Sequence, residues 1–142
     1  MGVYSRTSAQ AVTVEIGAAG GGGTGNFIIS NRNASGMQYF AMDATGTYRT
    51  VTNGLGLATM NRTSSSDVQS YKNGVEATAT KTENAHSGNS IYVLARNTNN
   101  PTDFYSARNL SFAFIGNSLT TTEHANLYTA IQAYQTTLSR NV

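Results

Sequence analysis

The stretch Val68-Gln69-Ser70-Tyr71-Lys72-Asn73-Gly74-Val75-Glu76-Ala77-Thr78-Ala79-Thr80 reads as two short strands around an Asn-Gly pair. Both residues of that pair tolerate positive φ, and a two-residue type I′ turn has a twist that matches the strands it joins. The segment therefore predicts a β-hairpin in which Lys72 faces Val75 and Tyr71 faces Glu76. A second pair, Asn53-Gly54, separates residues 48–52 from 55–60 and predicts another hairpin. Several strands with turn signals at short spacing argue for a sandwich or barrel.

The flanking sequence repeats the period of two. Val12, Val14 and Ile16 alternate with Thr13 and Glu15, the pattern of a half-buried strand. Phe27-Ile28-Ile29 reads as a short buried strand, and residues 37–42 as a further apolar one. Ile91, Val93 and Ala95 face one way, Tyr92 and Leu94 the other. Leu110, Phe112 and Phe114 alternate with Ser111, Ala113 and Ile115, which predicts a central strand covered on both faces. Residues 17–25 are glycine-rich and read as a flexible loop between two strands. Pro101 lies in an Asn-rich stretch, residues 97–103, that must be a loop.

The tail changes period. Leu127, Ile131, Tyr134 and Leu138 recur at helical spacing and form one apolar stripe. Thr120 and Glu123 have the spacing of a capping box, and Arg140 is placed in the last turn, where a cation complements the helix dipole. The expectation is a single all-β domain over residues 1–142, an antiparallel sandwich closed by one amphipathic helix over residues 120–140.

Composition suits that reading. The 142 residues are 11% charged and 39% hydrophobic, with 14 Gly. Charged residues ordinarily make up about a quarter of a chain, so the surface is polar but hardly charged. The seven Arg and two Lys are scattered, and the net charge is only +2. No basic cluster marks a phosphate-binding face, so nucleic acid is not implied. With no Cys, neither disulfides nor thiolate metal sites hold the fold. No apolar run approaches the roughly 18 residues of a membrane span. The first residues lack the apolar stretch of a secretory signal, and Arg6 breaks a myristoylation motif at Gly2.

A family resemblance appears in the C-terminal third. Residues 91–97 (Ile-Tyr-Val-Leu-Ala-Arg-Asn), Phe112-Ala113-Phe114-Ile115-Gly116, Leu119-Thr120 with Glu123, Leu127-Tyr128 and Tyr134-Gln135 carry it, together with Leu138 and Arg140. They resemble the last strands and closing helix of concanavalin A-like (laminin-G-like) lectin/glucanase modules of bacteriophage and bacterial proteins. Asn61-Arg62-Thr63, Tyr71-Lys72-Asn73-Gly74 and Val3-Tyr4-Ser5-Arg6-Thr7 fit the same pattern. The resemblance implies a jelly-roll topology and a non-enzymatic role. The role expected first is a structural, decoration or fibre component of an extracellular particle, a phage virion above all. The alternative is a lectin-like module attaching a parent protein to cell-surface glycan, and a glycoside hydrolase comes third. Such modules carry further strands before the segment matching residues 3–16. The resemblance therefore implies that a neighbouring subunit, a separate polypeptide or a removed N-terminal part supplies them. A homo-oligomer, or scaffold proteins of the particle, are the partners expected.

The chemistry-bearing residues favour binding over catalysis. Glucanases of this fold present paired carboxylates from one strand, and retaining chemistry needs them roughly 5–5.5 Å apart. Glu15, Asp43, Asp67, Glu76, Glu83, Asp103 and Glu123 include no two within four residues of each other. His86 and His124 read as exposed polar residues without metal-ligand spacing. Gly20, Gly22 and Gly25 spell a nominal G-x-G-x-x-G, but a strand rather than a helix follows, so no dinucleotide site is read there. Calcium takes oxygen ligands, which Asp43, Asp67 or Asp103 with Asn neighbours would supply, though no EF-hand spacing supports a site. Three N-x-S/T triplets, at Asn33, Asn61 and Asn109, are expected by chance in so Asn- and Thr-rich a chain. Glycan binding remains the sharper reading: amides and carboxylates match sugar hydroxyls, and aromatic rings match C–H faces. Its candidate residues are Asn97, Asn99, Asn100, Asp103 and Tyr105 on one loop, with Tyr48 and Tyr71 on an exposed sheet face. The same Asn and Asp residues favour turns, and no Trp is present.

Overall fold

A computed structural model describes residues 1–21, 24–99 and 101–142. Among them, twelve strands form two sheets, and one helix follows. The smaller sheet has the order β12 (Leu110–Phe114), β1 (Gly2–Ser5), β6 (Gly56–Asn61), β7 (Asp67–Lys72) and β8 (Val75–Thr80), all antiparallel. The larger runs β11 (Thr102–Asp103), β10 (Arg96–Asn97), β2 (Ile16–Ala18), β3 (Asn26–Asn33), β4 (Gly36–Asp43) and β5 (Thr47–Arg49). A further short strand, β9 (Tyr92–Val93), also pairs with β2.

Successive side chains on a strand point to opposite faces, and this sorts the core into two layers. Val3, Ala58, Met60 and Val68 of the smaller sheet meet Ile16, Ile29, Met37, Tyr39 and Ala41 of the larger. Burying each large apolar side chain is worth about 1.5–3 kcal/mol. The alternate residues Tyr4, Leu57, Phe112 and Phe114 face the other way and meet Leu127, Tyr128 and Ile131 of helix α1 (Thr121–Thr137). The molecule is a two-sheet β-sandwich with the helix as a third layer.

The two Asn-Gly pairs have different fates. Asn73 (φ 51°) and Gly74 (φ 78°) form the left-handed turn expected, with Lys72 opposite Val75 and Tyr71 opposite Glu76. Asn53-Gly54 makes no hairpin: β5 pairs with β4 in one sheet, whereas β6 lies in the other. Neither residue takes a positive φ. Instead the Asn53 side chain accepts the Leu55 N–H at 2.9 Å, an Asx turn. A Cβ on Gly54 would sit only 2.7 Å from the Thr7 carbonyl, so glycine is there for close approach.

Other expectations need correction. The strand expected from Val12 begins only at Ile16; Val12 is 69% exposed, while Glu15 is fully buried. Val14 and Ile16 are buried as well, and Glu15 joins them because it has a buried cationic partner, Arg108, at 2.8 Å. The segment from Ile91 is broken by Leu94 (φ 64°), so β9 runs antiparallel and β10 parallel to β2. β12 is an edge strand rather than a central one, since only β1 pairs with it. Its register slips between Tyr4 and Ser5, and Ile115 beyond it is exposed.

The helix starts as expected, with both halves of the Thr120/Glu123 capping box formed. Its buried face is only in part the apolar stripe. Ile131 is buried and Leu127 half-buried, but Tyr134 and Leu138 are exposed, and His124 and Gln135 are buried instead. Polar partners on the sheet explain this: Thr59 Oγ1 lies 3.4 Å from His124 Nδ1, and Ser111 donates to Gln135 Oε1 at 2.9 Å. Arg140 falls after the helix end, not in its last turn. Gly17 and Ala18, placed in a loop by the sequence reading, are in β2, while Gly22 of the glycine motif lies outside the described residues. No helix is long and apolar enough to cross a membrane among the described residues.

Candidate functional site

β3 and β4 turn Ile29, Tyr39 and Ala41 into the core, which leaves Ile28, Ser30, Gln38 and Phe40 on the outer face of the larger sheet. Val14 and Ala19 pack over Ile28 and raise one wall. The other wall comes from the chain around β10 and β11. Between them lies a cleft of about 230 Å³, lined by Ile28, Ser30, Asn33, Gln38, Phe40, Arg96 and Phe104 among others.

Its geometry is fixed by two clamps. Arg96 is held bidentately by Asp103, Nε to Oδ1 at 2.8 Å and Nη2 to Oδ2 at 2.6 Å. The guanidinium lies 4.2 Å from the centre of the Phe104 ring, a cation–π contact. Phe104 itself has φ 49°, a rare conformation for a bulky residue that persists only where its surroundings enforce it. Here its carbonyl accepts the Val14 N–H at 2.9 Å, and the residue stays 41% exposed. On the opposite side a polar row runs along the sheet: Asn33 Nδ2 donates to Gln38 Oε1, and Gln38 Nε2 donates to the Tyr48 hydroxyl at 2.8 Å. Exposed rings flanked by fixed amides and hydroxyls are the surface that sugar rings fit, C–H face to aromatic and hydroxyl to amide.

The seven residues expected to bind glycan do not converge. Tyr48 is on this outer face and half exposed. Asp103 acts through Arg96, and Tyr105, 68% exposed, follows Phe104. Asn97 is buried and engaged, donating to the Ser90 carbonyl and accepting the Asn99 N–H, both at 2.9 Å. Asn99 is an exposed left-handed turn residue, and Asn100 lies outside the described residues. Tyr71 is not on an exposed face. It is buried beneath the helix and stacks on His124 with ring centres 3.7 Å apart, because the smaller sheet's outer face is the one the helix covers. Sequence reasoning missed Arg96, Phe104, Gln38 and Phe40. The period of two over residues 37–42 was the signal for the last two, since it puts Gln38 and Phe40 on one face.

The remaining titratable groups have local tasks. Asp43 accepts the Ala41 and Gly46 N–H groups. Asp67 accepts from Ser64, Ser66 and Thr80. The Thr121 hydroxyl on Glu76 holds that carboxyl below its usual range. His86 is exposed, and its Nδ1 accepts the Gly88 N–H at 2.7 Å. His124, expected to be exposed, is buried, and burial pushes its imidazole below the ordinary value. Among the described residues no three His, Cys, Asp or Glu side chains are grouped to hold a metal. Neither a protein-family model, a curated protein nor a solved structure matches this chain.

Proposed function

We propose that the chain is a non-enzymatic carbohydrate-binding module with a concanavalin A-like jelly-roll topology, and that the outer face of its larger sheet takes the glycan. The observation that carries this reading is the exposed Phe104 ring, held in a strained backbone conformation beside a clamped Arg96 and opposite the Asn33–Gln38–Tyr48 row. A ring kept half exposed at a conformational cost points to a surface used for contact. The absence of catalysis in this reading is supported by the structural engagement of Asp43, Asp103 and Glu15.

Purified protein on a glycan array tests it. Saturable binding is expected, and Phe104→Ala should weaken it about tenfold, roughly 1.4 kcal/mol. Tyr134→Ala, on the helix far from the cleft, should leave binding unchanged. A folded protein silent across the array would remove the reading.

One feature favours a second reading, a decoration or fibre subunit of an extracellular particle such as a phage virion. β8 has a neighbour on one side only, and Val75 at its start is 62% exposed. An unprotected edge can pair with another copy or a scaffold protein. Light scattering that shows a single, concentration-independent monomer would count against it.

A further inference from the structure

The core-facing rows of β3 and β7 begin apolar and end polar. On β3 the inward row passes from Ile29 to Asn31, and on β7 from Val68 through Ser70 to Lys72. The two rows end against each other: Lys72 Nζ lies 3.0 Å from Asn31 Oδ1, with Asn31 fully buried and Lys72 only 9% exposed. The amine thus donates to the carbonyl oxygen of the amide whose carbon it would attack. Asn31 is held at two further points. Its Nδ2 donates to the Gly54 carbonyl, its main-chain N–H donates to Glu15 Oε2, and Glu15 is in turn paired with Arg108.

Lys72 has no carboxylate of its own. The two ion pairs among the described residues are Arg96–Asp103 and Arg108–Glu15, so a buried ammonium here would lack a counter-ion. A buried, unpaired amine favours its neutral form. Burial, reinforced by the Arg108 and Arg49 guanidiniums and opposed by Glu15, pushes the Lys72 amine down to about 7. A neutral amine is the nucleophilic form.

We propose that Lys72 and Asn31 condense into an intramolecular isopeptide bond that ties the two sheets together. The Nζ lone pair attacks Asn31 Cγ and the Nζ–Cγ bond forms. The Cγ–Nδ2 bond breaks, one amine proton passes to the departing nitrogen, and ammonia leaves. Amine plus carboxamide gives amide plus ammonia, so no oxidant or further reactant is consumed. The Gly54 carbonyl positions the amide that is attacked, and Glu15 holds the Asn31 main chain. A cavity of about 260 Å³ lined by Arg49, Asn53, Lys72 and Asn73 lies next to Lys72. The bond would span 41 residues of sequence and join β3 to β7, so like a disulfide it would restrict the unfolded chain. The inference is independent of any glycan.

Intact-mass spectrometry of the denatured full chain, after incubation at mildly alkaline pH, tests it. The expected result is a mass lighter than the encoded one by a single ammonia, with a proteolytic fragment linking positions 31 and 72. Lys72→Arg, which keeps a cationic donor but cannot form the product, should retain its encoded mass. Should that variant not fold, the wild-type protein still decides the matter. A folded wild-type chain of unchanged mass, or a link mapped to Lys81, would overturn the proposal.

Discussion

Glu15 shows how one residue reorganises the local pattern. Its fully buried carboxylate accepts the Thr13 and Ser106 hydroxyls, both at 2.9 Å, as well as the Asn31 N–H. Arg108 Nε approaches Oε1 at 2.8 Å as an ion pair rather than a well-aligned hydrogen bond. The guanidinium then braces two loops, its Nη2 donating to the Arg32 carbonyl at 2.7 Å and its Nη1 to the Thr7 carbonyl at 3.3 Å. Removing one partner of a buried pair leaves the other uncompensated, which typically costs about 3–5 kcal/mol. Arg108→Met should therefore lower the urea midpoint sharply. Adding Glu15→Gln to that variant should restore part of the loss, because the orphaned charge is gone. A double variant no better than the single one would show that Arg108 acts through its loop contacts alone. None of this was legible in the sequence, where Glu15 occupies the solvent side of an alternating pattern. Alternation reports apolar character and has no means to register that a charge has found a partner 93 positions away.

At the scale of elements, the hairpin at Asn73-Gly74 and the capping box were legible because each depends only on neighbours in sequence. The Asn53-Gly54 turn and the helix face depended on what the chain meets in space. Gly74→Val should cost more than about 1 kcal/mol, since Gly74 has φ 78° and its Cβ would lie 2.9 Å from the Tyr128 ring. The helix gives a sharper contrast. Ile131→Asp buries a charge against Tyr4 and Leu57 and should cost several kcal/mol. Tyr134→Asp and Leu138→Asp, on the exposed side, should stay within about 0.5 kcal/mol, although all three positions belong to one stripe in the sequence. Thermal melts of the three variants check this. His124 adds a pH dependence with a definite sign. Its folded pKa lies below the ordinary 6.5, chiefly through desolvation, so the unfolded chain takes up the proton first as pH falls. Stability should decline as pH drops below about 6.5 and level off once the folded histidine titrates too. In His124→Gln that slope between neutral pH and the carboxylate range should be flattened.

For the whole molecule, β1 is the strand on which segments from opposite parts of the sequence come together. β1 is flanked by β6 on one side and by β12 on the other, and the helix that follows β12 returns to cover β1. Tyr4 condenses this into one side chain. It is fully buried although its side chain points to the smaller sheet's outer face, and its hydroxyl donates to Gln132 Oε1 at 2.5 Å and accepts the Val142 N–H at 3.1 Å. Leu57 and Tyr71 are buried on the same face for the same reason. A two-layer sandwich can leave such a face polar and do without a lid. Here the face carries Tyr4, Leu57, Tyr71, Phe112 and Phe114, too large an apolar patch for a stable surface. A chain truncated after residue 118 should consequently keep its strand signal in circular dichroism. It should also bind a hydrophobic dye, lose the single cooperative melt, and associate at concentrations where the full chain does not. If the truncated chain melts as sharply as the intact one and ignores the dye, the helix is an appendage and the third layer contributes nothing to the fold. The burial of Tyr4 and Tyr71 argues for the first outcome, because no other described element covers them.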